Sequence, residues 1–260
     1  IPQRTPTPTP SVEYAAHGRV AEVVLNRPQV SNAMDLTVAR DLAGAIQRAD
    51  ADPDVDVVLL RGRGDRFCGG GDLAAMAAAP DRSAFAAELA GAAHEAVRAI
   101  HGLRKPVVAA VQGAAAGIGF SLVLGADIVV AGESARFVTA YTSVGLTPDG
   151  GLSWLLPRAV GQRRATELIL TSEPVATARA LDLGIVTEVC PDADLLARAR
   201  EHAVALAARP IRALGESRRL VRASWGRGLD EHLDDEAATI SRAMGDDATA
   251  ALISRFVGRR

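Results

Sequence analysis

The chain has 260 residues, 48% of them hydrophobic and 23% charged, a globular composition long enough for one large domain or two small ones. Its 29 basic and 31 acidic side chains give a formal charge of -2, which argues against a nucleic-acid partner. No apolar run approaches the ~18 residues of a membrane span, so a membrane partner is not expected either.

In chain order, residues 1–10 (IPQRTPTPTP) alternate Thr with Pro and read as a disordered tail. They lack the apolar core of a signal peptide. An α/β core is assigned to residues 11–190 and a helical region to 191–260. VAEVVL (20–25) and VDVVLL (55–60) are predicted strands, and between them Leu36, Ala39, Leu42, Ala43 and Ile46 recur at helical spacing. A glycine-rich loop, RGDRFCGGGDL, leads into a long helix with Phe85, Leu89, Ala96, Ile100 and Leu103 on one face. PVVAAV (106–111) is apolar throughout, as a strand covered on both faces should be. It runs into QGAAAGIGFSLVLG and a fourth strand at 127–130. After Leu152 the pattern is mostly helical. A short strand is expected at 185–189, and helices at 193–208, 211–224, 229–244 and 248–256.

Cys68 and Cys190 form neither a disulfide framework nor a zinc pattern, so no metal is expected and a reducing, cytoplasmic setting fits. Lys105, the only lysine, stands before Pro106 and reads as structural or phosphate-facing. Arg218, Arg219, Arg222 and Arg227 read as a solvated face, or as contacts to a phosphate-bearing ligand.

Two segments suggest chemistry, FCGGGDL (67–73) and GAAAGIGFSLVLG (113–125). Each follows an apolar strand and precedes a helix, where free backbone N–H groups favour an anion or a developing oxyanion. Either loop by itself reads as a tight turn with close helix packing; together they can aim two N–H groups at one oxygen. GAAAGIG does not fit G-x-G-x-x-G, and no P-loop pattern occurs. Ser121 lies in GFSLV, not G-x-S-x-G. Cys68 reads as a small apolar filler. His17, His94, His101, His202 and His232 carry no local catalytic signature. In residues 141–154 (YTSVGLTPDGGLSW), Asp149 stands between a proline and two glycines, which by turn chemistry alone makes it a turn residue.

Taken together, VAEVVLNRPQVSNAMD, DVVLLRGRGDRFCGGGDL, KPVVAAVQGAAAGIGFSLVLGADIVVA, ARFVTAYTSVGLTPDGG, LPRAVGQRRATELILT and ATARALDLGIVTEV resemble, in order, the enoyl-CoA hydratase/isomerase (crotonase) superfamily. The resemblance implies an α/β spiral of ββα units with a helical C-terminal trimerisation region, a trimer or hexamer, and an acyl-CoA thioester substrate. It implies no cofactor besides the coenzyme A of the substrate. It places the oxyanion-hole N–H groups on Gly71 and Ile118, with Cys68, Gly69, Gly70, Asp72, Leu73, Gly117 and Tyr141 bordering substrate or CoA. The two glutamates of the hydratases fall on Ser121 and Tyr141, so both are absent. Asp149 falls where isomerases of the superfamily keep their proton carrier, and FVTAYTSVGLTPDGG is similar to the phenylacetate-pathway ring-epoxide isomerase type. The resemblance therefore implies an isomerase with Asp149 as base. The alternatives are a hydratase of atypical mechanism and a non-catalytic acyl-CoA-binding protein. A basic Asp149 needs an apolar surround, which Leu146, Leu152 and Trp154 are expected to supply. Tyr141 either fills space or donates a hydrogen bond to substrate.

Overall fold

The computed structural model describes residues 9–258, so the tail predicted at 1–10 lies, apart from Thr9 and Pro10, outside the described residues. The strands are β1 (Val12–His17), β2 (Val20–Leu25), β3 (Val57–Gly62), β4 (Val107–Val111), β5 (Ala114–Ala116), β6 (Ile128–Gly132), β7 (Arg136–Val138), β8 (Val175–Ala176) and β9 (Glu188–Cys190). The helices are α1 (Leu36–Ala51), α2 (Leu73–Ala78), α3 (Arg82–Gly102), α4 (Ile118–Gly125), α5 (Leu152–Val160), α6 (Gln162–Thr171), α7 (Thr177–Asp182), α8 (Leu195–Ala207), α9 (Ile211–Ala223), α10 (Leu229–Met244) and α11 (Asp247–Val257). The strands predicted at 20–25, 55–60, 106–111 and 127–130 are thus present with shifts of two residues or fewer. The edge strand β1, paired antiparallel to β2 across a turn at Gly18, was not anticipated.

The main sheet runs β1-β2-β3-β4-β6-β9, parallel from β2 onward. Side chains alternate across a strand, and here both faces are apolar, as the continuous hydrophobic runs require. Val23, Leu25, Val58, Leu60, Ala109 and Val111 join the core under α1 and α3. Val20, Val57, Leu59, Val108, Ala110 and Val130 meet Leu195, Ala199 and Ala203 of α8 on the other. The acid buried on that second face is Glu22, 4% exposed. It pairs with Arg61 of β3 (2.5 Å) and Arg200 of α8 (2.9 Å). Burial works to raise its pKa, but the two guanidiniums outweigh it and hold the carboxyl below its usual range.

The compact units divide further along the chain than the boundary expected at residue 190. Helix α8 covers a sheet face that would otherwise be bare, so the first compact unit continues to Ala208 and the second begins at Arg209. In the second unit Arg219 joins α9 to α10 through Asp235 (2.6 Å) and Thr239 (2.8 Å), and Arg227 also bonds Asp235. Arg219 and Arg227 are therefore committed to internal pairs. Leu229, Ile240, Met244 and Phe256 are exposed.

A second, short row of strands carries the site. β5 pairs parallel with β7, and β7 antiparallel with β8. Single bridges extend the row from Ala115 to Cys68 and from Gly71 to Met34. From β2 to β7 each passage of the chain lays one strand in the main sheet and one strand or bridge in this row before entering a helix, a ββα repeat. Lys105 sits outside the row: its ammonium donates to Ala49 and Asp52 carbonyls at the end of α1, both at 2.6 Å, a C-terminal helix cap that leaves no phosphate-facing role.

Candidate active site

The first glycine loop is shaped by a buried asparagine. Asn32 is 1% exposed, and its amide donates to the carbonyls of Arg63 (2.9 Å), Arg66 (2.8 Å) and Phe67 (3.2 Å). Its oxygen accepts from the Arg27 N–H at 2.8 Å. A buried amide satisfied on both ends fixes its surroundings closely. Downstream, Gly69 donates to the Ser31 carbonyl (2.8 Å), Met34 to the Gly70 carbonyl (2.8 Å) and Asp72 to the Met34 carbonyl (2.9 Å). In this parallel bridge the N–H of Gly71 itself points away from Met34. It has no acceptor among the described residues.

The second loop arrives at the same place by register. Cys68 pairs with Ala115, so Gly71 and Ile118, each three residues further on, occupy equivalent positions on successive turns of the spiral. Gly117 adopts φ +53° and ψ -122°, a conformation open to glycine and hardly to other residues. A Cβ there would lie 3.6 Å from both Gly70 Cα and Tyr141 Cζ, so two backbones and a ring meet. Ile118 opens α4, where a first-turn N–H has no helical acceptor, and its N–H has no acceptor among the described residues. Two N–H groups are thus left unpartnered, one at the head of a helix and one in an adjacent loop, the chemistry that suits a negatively charged oxygen.

The Asp149 turn packs directly on the second loop. A Cβ on Gly150 would fall 1.9 Å from Ile118 Cδ1, and the residue has φ +60°. Glycine is needed there on both counts, and the Ile118 side chain fills the space beneath the turn. The Asp149 carbonyl accepts from Tyr141 Oη at 3.2 Å, Ser121 Oγ at 3.3 Å and Leu152 N–H at 3.1 Å. Burial, and then the Asp149 charge, push the Tyr141 phenol pKa up, so Tyr141 stays a neutral donor. Tyr141 is held by its neighbours: Ala140 takes φ +63°, uncommon for a residue with a Cβ. Thr139 and Thr142 flank it and donate to carbonyls of α6, Leu168 and Ile169, both at 2.9 Å.

The carboxylate of Asp149 is anchored on one side only. Its Oδ1 accepts from the Gly150 N–H (2.5 Å) and lies 2.5 Å from His94 Nε2 of α3. Oδ2 has no partner among the described residues, and the side chain is 35% exposed. The apolar surround expected from Leu146, Leu152 and Trp154 is not there. Leu152 is buried, but Leu146 and Trp154 are exposed. Trp154 instead meets the His101 ring edge-on at 5.4 Å and lies under Arg158. An imidazole stands where aliphatic cover was expected.

Among the other residues singled out by sequence, Gly69, Gly70 and Gly117 lie at the junction of the two loops. Leu73 is half exposed at the start of α2. Cys68 and Asp72 do not present side chains to a ligand. Cys68 is wholly buried against Gly119. Its N–H and C=O are taken by Ala114 and Ala116, and burial pushes its thiol up to about 11, an inert filler. Asp72 caps α2 through the Ala75 N–H (3.1 Å) and pairs with Arg27 (3.3 Å). Sequence reasoning missed His94 and Asn32. The only signal for His94 was its place on α3 three residues before Val97 and seven before His101, a stripe that faces the turn.

A strand-and-helix spiral whose second row ends in these loops is the crotonase type of α/β fold. The sequence matches the enoyl-CoA hydratase/isomerase family over residues 15–260, and the chain belongs to that family. It is 35% identical over 219 residues to a 1,2-epoxyphenylacetyl-CoA isomerase of Escherichia coli, covering 84% of each chain. It is 37% identical over 179 residues to a trans-2-decenoyl-[acyl-carrier-protein] isomerase of Streptococcus mutans, covering 68% of each. The crystal structure of an enoyl-CoA hydratase from Polaromonas superposes with a TM-score of 0.89 at 34% identity, over 96% of this chain and 97% of that one. Hydratases and isomerases thus both stand among its relatives.

Proposed function

We propose that the protein is an acyl-CoA isomerase that shifts a double bond through a thioester enolate, with Asp149 as the single proton carrier. The observation that carries this reading is the half-anchored carboxylate beside two unpartnered N–H groups. A thioester with its carbonyl oxygen on Gly71 and Ile118 has its α-proton acidified, because the electron pair left at C2 delocalises onto that oxygen. Asp149 Oδ2 takes the proton from C2. The enolate is held by the two N–H groups, each worth about 3 kcal/mol of transition-state stabilisation. The carboxylic acid then returns the proton at C4, the enolate electrons form the C2–C3 double bond, and Asp149 is again ionised. Hydration would also require an activated water, and the two positions that carry glutamate in hydratases hold Ser121 and Tyr141, both turned to the Asp149 carbonyl. No group is needed besides the coenzyme A that the substrate brings. The same reading includes assembly as a trimer or hexamer through the exposed apolar residues of α10 and α11, to be checked by sedimentation.

The test is separate incubation with a 3-enoyl-CoA and a 2-enoyl-CoA. The expected result is conversion of the first to the conjugated thioester, without 3-hydroxyacyl-CoA from the second. Accumulation of the hydroxy product would establish hydration instead. Binding of both thioesters without turnover would make the protein a non-catalytic acyl-CoA binder.

A further inference from the structure

We infer that His94 is the positioning residue of the site: it clamps Asp149 Oδ1 so that the proton in transit stays on Oδ2, facing the substrate. The inference rests on Asp149 as proton carrier and adds what keeps the transferred proton in place. His94 Nε2 lies 2.5 Å from Oδ1. An ionised carboxylate only accepts, so Nε2 carries the hydrogen.

The clamp stands on a rigid element. Helix α3 is 21 residues long, capped by Asp81 through the Ala84 N–H at 2.9 Å, and pinned in the core by Leu89, Ala93, Ala96 and Ile100. From it His94, Val97 and His101 project as one stripe toward the turn. Val97 Cγ1 lies 3.8 Å from a Cβ built on Gly151, and His101 stands against Trp154. Two contacts over two helical turns, His94 to Asp149 and His101 to Trp154, with Val97 beneath the turn between them, fix the distance between α3 and the carboxylate.

A free carboxyl group can turn about its Cβ–Cγ bond and exchange its two oxygens. After C2 deprotonation such a turn would carry the proton from the substrate toward water. With Oδ1 bonded to His94 and to the Gly150 N–H, it would have to break two hydrogen bonds at once. Oδ1 remains an acceptor whether Oδ2 is ionised or protonated, so His94 keeps its bond and its own proton through both transfers. The consequence is direct return of the C2 proton to C4 in preference to exchange with solvent.

The experiment follows substrate carrying deuterium at C2, in ordinary water, with wild type, His94→Ala and His94→Gln. A glutamine places an amide N–H close to the position of Nε2. Wild type is expected to retain label at C4. His94→Ala should lose most of that retention and up to about 10²-fold in kcat, the scale of a misplaced catalytic group, with KM within about twofold. His94→Gln should recover both. Equal retention and kcat in wild type and His94→Ala would overturn the inference, as would a glutamine variant no better than alanine. The imidazole nitrogen spectrum of the wild type gives an answer even if His94→Ala does not fold: the Nε2–H tautomer is expected, and an unprotonated Nε2 would overturn the clamp. If wild type moves no double bond, the functional reading falls, and the spectrum still decides whether His94 holds the carboxylate.

Discussion

In the glycine loops the side chains are spent on structure and the main chain is left free. Cys68 fills the core, Asp72 caps a helix, and Ile118 lies under Gly150, while the N–H groups of Gly71 and Ile118 find no acceptor among the described residues. At the Asp149 turn the assignment is reversed. The main-chain carbonyl accepts from Ser121, Tyr141 and Leu152, and one side-chain oxygen is left free. Side-chain identity should therefore matter little in the loops and decisively at the turn, whereas removal of a main-chain N–H should do the opposite.

The change that presses hardest on this contrast is Asp149→Asn. The amide oxygen keeps both acceptor roles of Oδ1, toward His94 and Gly150, so the fold and acyl-CoA binding should stand. The base at Oδ2 is lost, and kcat is expected to fall by about 10²–10⁴-fold. Exchange of the substrate α-proton with deuterated water should slow in parallel. A well-folded variant with wild-type turnover would return Asp149 to a plain turn residue. In the loops the matching change is Gly71→Pro, which deletes the N–H. About 10²–10³-fold should be lost from kcat, the cost of one oxyanion donor, with CoA affinity falling much less. An added Cβ meets Met76 Cε at 2.8 Å, the free end of a flexible side chain, so thermal denaturation should show a folded protein. Unchanged turnover there would remove the oxyanion assignment.

What the sequence revealed follows from how local each signal is. The strand at β4 is a continuous apolar run, β2 is one broken only by Glu22, and α1 and α3 are plain amphipathic periods, so they could be read directly. Gly71, Ile118 and Asp149 lie within short segments whose order resembles a known family. His94 was not legible, because its meaning depends on a partner 55 positions away and on the angle at which α3 crosses the turn. Asn32 stood in plain view within NRPQVSNAMD, but its three carbonyl partners are more than 30 residues downstream. The cover expected from Leu146 and Trp154 failed for the same reason: adjacency in sequence said nothing of α5, whose first turn sends Trp154 to His101. The boundary at residue 190 was placed by a change from mixed to helical pattern. Nothing local in α8 announces that it closes a sheet face.

Tyr141→Phe is a milder probe of the turn's main chain. It removes one of three donors to the Asp149 carbonyl, a hydrogen bond whose net contribution is about 1 kcal/mol, and keeps the ring against Gly117. A loss of a few-fold in kcat is expected. Because burial holds the phenol protonated beyond its ordinary range, wild type and Tyr141→Phe should share one alkaline pH–rate profile. A limb present in wild type and absent from the variant would show that Tyr141 titrates in the reaction.

Ser121→Ala should have the smallest effect, and for that reason it separates the mechanisms most cleanly. Ser121 is fully buried in α4, at the position where the family resemblance places a hydratase glutamate. Its hydroxyl donates to the Asp149 carbonyl at 3.3 Å, near the upper limit for such a bond. Removing the oxygen leaves that carbonyl with two donors, Tyr141 Oη and Leu152 N–H, so no buried acceptor is stranded and the cost in stability should be about 1 kcal/mol. The carboxylate itself does not touch Ser121 and stays anchored by His94 and Gly150. Turnover of a 3-enoyl-CoA is therefore expected to remain within about threefold of wild type, the change worth less than 1 kcal/mol in barrier. A hundredfold loss in a folded Ser121→Ala protein would mean that the hydroxyl enters the chemistry. The contrast between free main chain in the loops and free side chain at the turn would then give way to a serine-centred site.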